Sequence, residues 1–260
     1  MGKFGLSQPV QRTEDPLFLT GQGRYVDDIK LDRTLHAFVL RSPHAHATIN
    51  SIDTSKAMKT PGVHLILTGE DYRAAGLGAM PYLNPPTPDW DPDCIHKPSQ
   101  LALATDVVRY VGDGIAFIIA EDLTTAKDAA ELIDVKFDLL PAVVETAGAT
   151  DPDSATVWPE RPDNIAFTHT AGDKAATEAA FEAAVHIVTR IIRINRVAAN
   201  SMESRGILAS YDPANDFHTI YLSVQSAFGM RRTLANVIFG ESEEKFRVIT
   251  NDVGGAFGMK

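Results

Sequence analysis

The residues best suited to chemistry lie near the carboxyl end, in Gly254-Gly255-Ala256-Phe257-Gly258-Met259-Lys260. A glycine-rich loop that follows a strand leaves peptide N–H groups open to a neighbour, because glycine has no Cβ and tolerates positive φ. Oxyanions and oxo groups are the natural partners of such donors. The preceding run, Phe246-Arg247-Val248-Ile249-Thr250, predicts a buried strand. The loop is not a Walker A motif: Met259 follows Gly258 where that motif needs Lys and then Ser or Thr. The dinucleotide fingerprint G-x-G-x-x-G is absent as well. A plain tight turn between strands fits the same residues, and spacing alone leaves both readings open.

Other polar residues carry weaker signals. Gln225, in Ser223-Val224-Gln225-Ser226, ends a predicted strand. Its amide can donate to an oxo ligand or accept from a substrate, and it equally suits an ordinary strand end. His44 and His46 form an H-x-H pair, which in an extended segment can grip a metal. With Pro43 beside them and no further His or Cys nearby, a structural or surface role is expected. Glu203 and Arg205 suggest an ion pair bracing a strand, since nothing near Glu203 would raise its pKa for general-base work. Asp113, between Gly112 and Gly114, reads as a turn former. Cys94 lies in the proline-rich stretch and is assigned no role.

The elements that must position these groups divide into two parts. Leu35–Leu40, Ala47–Ile52, Val63–Thr68, Val107–Tyr110 and Ile115–Ala120 predict short strands. A helix is expected from about Leu123, with Ala126, Ala130 and Ile133 at helical spacing and Asp122 as N-cap. Asp134–Asp138 alternates as a strand. Six prolines between 81 and 98 predict a long surface excursion. After a linker rich in Ala, Thr, Asp and Pro, Gly172-Asp173 opens a short helix with Ala176, Ala180 and Ala184 on one face. Val185–Ile194 and Phe217–Val224 predict long strands, and Met230–Phe239 an amphipathic helix closed by Gly240. The domain division expected is an extended segment over 1–20, an α+β unit over 21–145, a linker over 146–165, and a second unit over 166–260.

Composition sets bounds. The 260 residues are 44% hydrophobic and carry a net charge of −10 without a basic cluster, which argues against nucleic acid or an anionic membrane as partner. One cysteine permits no internal disulfide, and no apolar run approaches membrane-spanning length. The opening residues lack a secretory pattern, so a cytoplasmic location is expected.

Taken together, several segments resemble the large subunit of the molybdenum hydroxylases, the family of xanthine dehydrogenase, aldehyde oxidase and carbon monoxide dehydrogenase. Leu19-Thr20-Gly21-Gln22-Gly23-Arg24-Tyr25 is similar to the opening of the bacterial branch. Arg41-Ser42-Pro43-His44-Ala45-His46, Pro61-Gly62-Val63, Val111-Gly112-Asp113 and Leu140-Pro141-Ala142 resemble its α/β hammerhead domain. Tyr211-Asp212-Pro213, Gln225 and Asp252–Gly258 resemble the start of its molybdopterin-binding domain. Ala256 stands where the family has a glycine, Asp113 where it usually has Glu, and Ser201 and Ser204 where it often has prolines.

The resemblance implies an α+β fold: a hammerhead domain followed by the first segment of a molybdopterin-binding domain. It implies an oxidoreductase acting on an aldehyde, an N-heterocycle or carbon monoxide. The cofactor would be a molybdenum-pyranopterin, either Mo-molybdopterin or its cytosine dinucleotide form, contacted by Gln225, Gly254, Gly255, Ala256, Phe257 and Gly258. No protein side chain would ligate the metal. The catalytic glutamate would lie beyond Lys260, so no catalytic residue falls within this chain, and the isolated chain is expected to be inactive. FAD and [2Fe-2S] clusters would sit on medium and small partner subunits, with the remainder of the large subunit as a further partner. The alternative is a non-catalytic assembly module that docks such flavin or iron–sulfur subunits.

Overall fold

The computed structural model describes residues 11–82, 95–195 and 197–260. Helices are mixed with strands that pair antiparallel in all but one case, which makes the fold α+β. Contacts divide the chain into two units. One holds the chain up to Arg33 with Ala198–Asn236 and Glu241–Lys260; the other holds Thr34–Val197 with Val237–Gly240.

The larger unit is built on two three-stranded sheets. Strand β1 (His36–Arg41) pairs antiparallel with β5 (Gly114–Ala120), which also takes β3 (Val63–Thr68) on its other edge. The second sheet sets β2 (Ala47–Asp53) between β4 (Val107–Val108) and β6 (Asp134–Leu139). Register shifts in both sheets mark bulges, at Leu40/Arg41, Val63/Leu65 and Ile49/Ser51. The central strand β5 is the most apolar, as a strand covered on both faces must be.

Helix α3 (Leu123–Glu131) covers the first sheet. Its N-cap Asp122 accepts from the Thr125 N–H, as its sequence position predicts, a bond worth about 1 kcal/mol. The small side chains of Ala126, Ala129 and Ala130 let it approach Ile66, Ala116, Ile118 and Ala120 closely. Ala47, Val108 and Ile115 close a second cluster. The short helix α2 (Gly69–Ala74), which sequence patterning does not reveal, is held by Asp71 accepting from the Thr68 N–H. Helix α4 (Lys174–Ala183) starts at Asp173 as expected, its carboxylate accepting from the Ala176 N–H.

The smaller unit has one sheet. β7 (Ile207–Asp212) runs antiparallel to β8 (Phe217–Leu222), and β8 runs parallel to β9 (Phe246–Ile249). Between β8 and β9 the chain forms helix α5 (Ala227–Arg232), which widens into a π-helical turn over Thr233–Phe239. Gly240, at φ 65°, ends it in the left-handed region, as the C-cap reading requires. Ile220, Leu222, Val224, Ala235 and Phe246 make the core here.

Two sequence expectations fail. The segment over 1–20 is not extended throughout: α1 (Asp15–Leu19) forms one helical turn, with Pro16 at its start and the Thr20 hydroxyl donating to the Pro16 carbonyl. Proline suits the first turn, where its missing N–H costs nothing. Val185–Ile194 is not a strand. Its pattern is strand-like, but it has no ladder partner among the described residues and stays irregular. Most of the proline-rich stretch, with Cys94, lies outside the described residues.

Candidate functional site

The smaller unit places the glycine loop and Gln225 at one end of its sheet. Because β8 and β9 are parallel, with Tyr221 opposite Ile249, both chains leave the sheet at their carboxyl ends together. Gln225 follows β8 by three residues and Gly254 follows β9 by five. The carboxyl ends of adjacent parallel strands are where open sheets offer ligand sites.

One carboxylate ties these ends together. Glu203 Oε2 accepts from Ser223 Oγ (2.5 Å), Gly254 N (2.8 Å) and Lys260 Nζ (3.0 Å), and Oε1 accepts from Val26 N (3.4 Å). The Ser223 hydroxyl in turn accepts from Lys260 Nζ (2.8 Å). The Lys260 side chain is 1% exposed and that of Glu203 14%, so the pair is largely shielded from water. Burial pushes the Glu203 carboxyl up, but the hydrogen bonds from Ser223, Gly254, Lys260 and Val26 outweigh it and hold the pKa at about 2. The group is therefore a carboxylate at neutral pH. It is a brace, since Oε2 takes three donors of its own chain and Oε1 a fourth.

This overturns the expected Glu203–Arg205 ion pair. Arg205 instead donates through Nε (3.0 Å) and Nη2 (2.6 Å) to the Met259 carbonyl, fastening the far end of the loop. Lys260, whose ammonium is the more deeply buried cation, takes the carboxylate. The start of the loop is fastened as well: Asp252 Oδ2 accepts from Arg24 N (2.7 Å) and Asp252 N donates to the Arg24 carbonyl.

Between these anchors the loop backbone is unusual. Gly255 and Gly258 take φ of 99° and 79°, and Phe257 takes φ of 50°. A bulky residue in the left-handed region is a rare and costly conformation, the kind that clusters at functional sites. The Phe257 ring is 72% exposed, so core packing does not offset that cost. Gly254 lies against Glu203: a Cβ built there would come within 2.5 Å of the Glu203 Cβ. Ala256 does not have positive φ, so a non-glycine residue sits there without left-handed strain. The Gly254 N–H is taken by Glu203, and that of Met259 by the Ala256 carbonyl. The N–H groups of Gly255, Ala256, Phe257 and Gly258 have no acceptor among the described residues.

The remaining candidates fall into structural roles. His46 Nδ1 bonds the Pro141 carbonyl (2.7 Å), and His44 packs edge-on against Phe137. Asp113 accepts from Arg109 N and closes its turn. Gln225 is exposed and has no hydrogen-bond partner among the described residues. Sequence reasoning missed Ser223, Lys260, Arg24 and Asp252. Their pairings join positions up to 228 residues apart, and no local pattern announces them.

Known proteins share this architecture. The model of the aldehyde oxidase and xanthine dehydrogenase α/β hammerhead domain matches residues 20–141. That of the molybdopterin cofactor-binding domain matches residues 157–260. The nicotine 6-hydroxylase large subunit of Paenarthrobacter nicotinovorans is 36% identical over 257 residues, covering 98% of this chain and 30% of that protein. The carbon monoxide dehydrogenase large chain of Hydrogenophaga pseudoflava is 34% identical, covering 95% of this chain and 31% of that one. The crystal structure of quinoline 2-oxidoreductase from Pseudomonas putida 86 superposes with a TM-score of 0.83 at 33% identity, over 95% of this chain and 30% of that chain. The chain thus spans about a third of the length of the relatives it matches. No helix among the described residues is long and apolar enough to cross a membrane.

Proposed function

Because the chain belongs to the molybdenum hydroxylase large-subunit family and matches its N-terminal part, we propose that its glycine loop forms one wall of a molybdenum-pyranopterin site. The whole enzyme would be an oxidoreductase hydroxylating an aldehyde or an N-heterocycle, or oxidising carbon monoxide. The observation that carries the reading is the run of four peptide N–H groups, Gly255 to Gly258, left without an acceptor among the described residues on a loop pinned at both ends. Such a set fits an oxygen-rich pterin and oxo group, since each open donor would gain a partner that water otherwise supplies.

Each residue has a part in this reading. Gly255, Ala256, Phe257 and Gly258 bind through backbone N–H. Gln225 offers its exposed amide to an oxo ligand at the same end of the sheet. Gly254 contributes by packing, its own N–H being committed to Glu203. Glu203, Ser223, Lys260 and Arg205 orient the loop. No side chain of this chain ligates the metal, and the general-base glutamate belongs to polypeptide beyond Lys260. When bound, the cofactor supplies the two-electron redox chemistry, in either its plain or its cytosine dinucleotide form. FAD and [2Fe-2S] on medium and small subunits would carry the electrons away, in a cytoplasmic assembly. The domain division proposed is a hammerhead over 21–145, a linker over 146–165 and the opening of the cofactor domain over 166–260.

Two preparations test this. The chain alone is expected to hold no stoichiometric molybdenum and to turn over neither aldehydes nor carbon monoxide. Assembled with a polypeptide supplying the rest of the large subunit, it should retain molybdenum and pterin, and Gly255→Val should lose both. Cofactor retention unchanged by that substitution, or full loading of the isolated chain, would contradict the reading.

A further inference from the structure

Residues 157–166 form a strap with its own internal bonds. Asn164, at φ 55°, ties three backbone groups together: its amide donates to the Ala149 and Ala155 carbonyls (2.8 Å each), and its oxygen accepts from Val157 N (3.0 Å). Asparagine tolerates that left-handed backbone better than most residues. Two residues from outside the strap close on it. Arg109, just after β4, lies over the Trp158 ring at 3.6 Å and donates from Nε to the Val157 carbonyl (3.3 Å). His96 donates its backbone N–H to the Ala166 carbonyl (2.8 Å) and sets its ring edge-on to Trp158. One atom of this clasp is unsatisfied. His96 Nε2 is buried without a hydrogen-bond partner among the described residues, although Glu160 Oε1 stands 3.6 Å away. A buried polar atom left in that state costs free energy. A proton on Nε2 converts the orphan acceptor into a charged donor facing a carboxylate.

We propose that His96 is a proton-operated latch on this strap: charged, it pairs with Glu160 and holds 157–166 down; neutral, it releases that hold. Histidine is the side chain that changes charge near neutral pH. The groups around it decide the sign. Glu160 favours the proton. Arg109 opposes it as a like charge, but its guanidinium faces the Trp158 ring and is itself balanced by Glu160, Asp113 and Asp106. Arg161 is turned away to the Ile165 carbonyl (3.1 Å), Asp163 accepts from Ile165 N (3.1 Å), and the Tyr82 hydroxyl donates to the Pro98 carbonyl. Lys97 is the remaining cation beside His96 in the chain. The charged imidazole thus gains a partner that the neutral one lacks, so closure strengthens as pH falls and weakens as pH rises. The Glu160 side chain is 54% exposed, so the gain is small and adjusts the strap without touching the sheets. The molybdopterin-binding match opens at residue 157, which puts the latch where that domain begins.

The test is amide hydrogen exchange of this chain from about pH 8 down to about pH 5.5, the range in which imidazole titrates, with each rate compared with the intrinsic rate at that pH. Protection over 157–166 should rise by about 3-fold toward the acid end, the size expected of a half-exposed ion pair. Protection in β1, β3 and β5 should stay constant and reports that the fold is intact in every variant. His96→Gln and Glu160→Gln should each flatten the slope. Asp163→Asn, which changes another carboxylate of the strap, should keep it. In Glu160→Gln the His96 ring, followed by NMR, should take up its proton at lower pH than in the parent chain. Three results would overturn the proposal: protection over 157–166 that is flat in the parent chain, protection that rises with pH, or a slope that survives both His96→Gln and Glu160→Gln.

Discussion

At Gly112-Asp113-Gly114 the backbone closes on itself. Gly112 donates to the Ser42 carbonyl, Ser42 N to the Asp113 carbonyl, and Asp113 N to the Tyr110 carbonyl. At Gly255–Gly258 the positive φ values recur, but the N–H groups find no acceptor among the described residues, and the hydrogen bonds gather at the two flanks instead. Both are glycine turns next to strands, and their sequences do not separate them. What separates them is where the donors go. The first turn uses its polar groups to hold the fold. The second has its polar groups held by a carboxylate brace, which leaves a row of donors for something else.

Breaking the brace should have the largest effect. Glu203→Ala leaves the Lys260 ammonium shielded and unpaired, and should destabilise the smaller unit by about 3–5 kcal/mol, read as a lower denaturation midpoint with β7, β8 and β9 exchanging faster. Acid should act on the same group. Its folded pKa, about 2, lies below the ordinary value of 4.5, so the stability it adds is complete above 4.5 and is lost as pH falls through that window toward 2. The Glu203→Gln variant should show a shallower loss across that range, and an identical acid limb would show that another group dominates.

Next in size is Gly254→Ala. Its Cβ would press on the Glu203 Cβ and should cost about 1–3 kcal/mol, since backbone must move to admit it. The matching change in the closed turn, Gly112→Ala, meets no atom within 4 Å and strains only φ, at 96°. It should cost about 1–2 kcal/mol. Equal costs would mean that the brace does not fix the loop. The smallest effect is expected at Ser42→Ala, which removes the hydroxyl that donates to the His44 carbonyl (2.9 Å) and accepts from its N–H (3.0 Å). That should cost about 1 kcal/mol by thermal denaturation, with exchange at 254–258 unaltered.

Legibility follows the range of the interactions. The strands β1, β2, β3, β5, β8 and β9, and the capped helices α3 and α4, were readable because alternation, spacing and a cap residue are local properties. The glycine loop and Gln225 were readable as candidates for the same reason. Helix α2 was not, since six residues hold too little periodicity. Nor was the Glu203 brace: it joins residues 26, 223, 254 and 260, and Arg205, two places along, looked the nearer partner. Val185–Ile194 misled in an instructive way. Its pattern specifies a strand, but a strand needs a neighbour, and pattern alone does not say which polypeptide brings one.

The central claim is that Gly255–Gly258 hold out peptide N–H groups for a molybdenum-pyranopterin. Hydrogen exchange on the assembled large subunit, with and without molybdopterin, measures this most directly. Slowing confined to peptides over 254–260, with those over 109–115 unchanged, is the result expected from donors that gain an acceptor only from the cofactor. Identical exchange at 254–260 in the loaded and unloaded forms would contradict it.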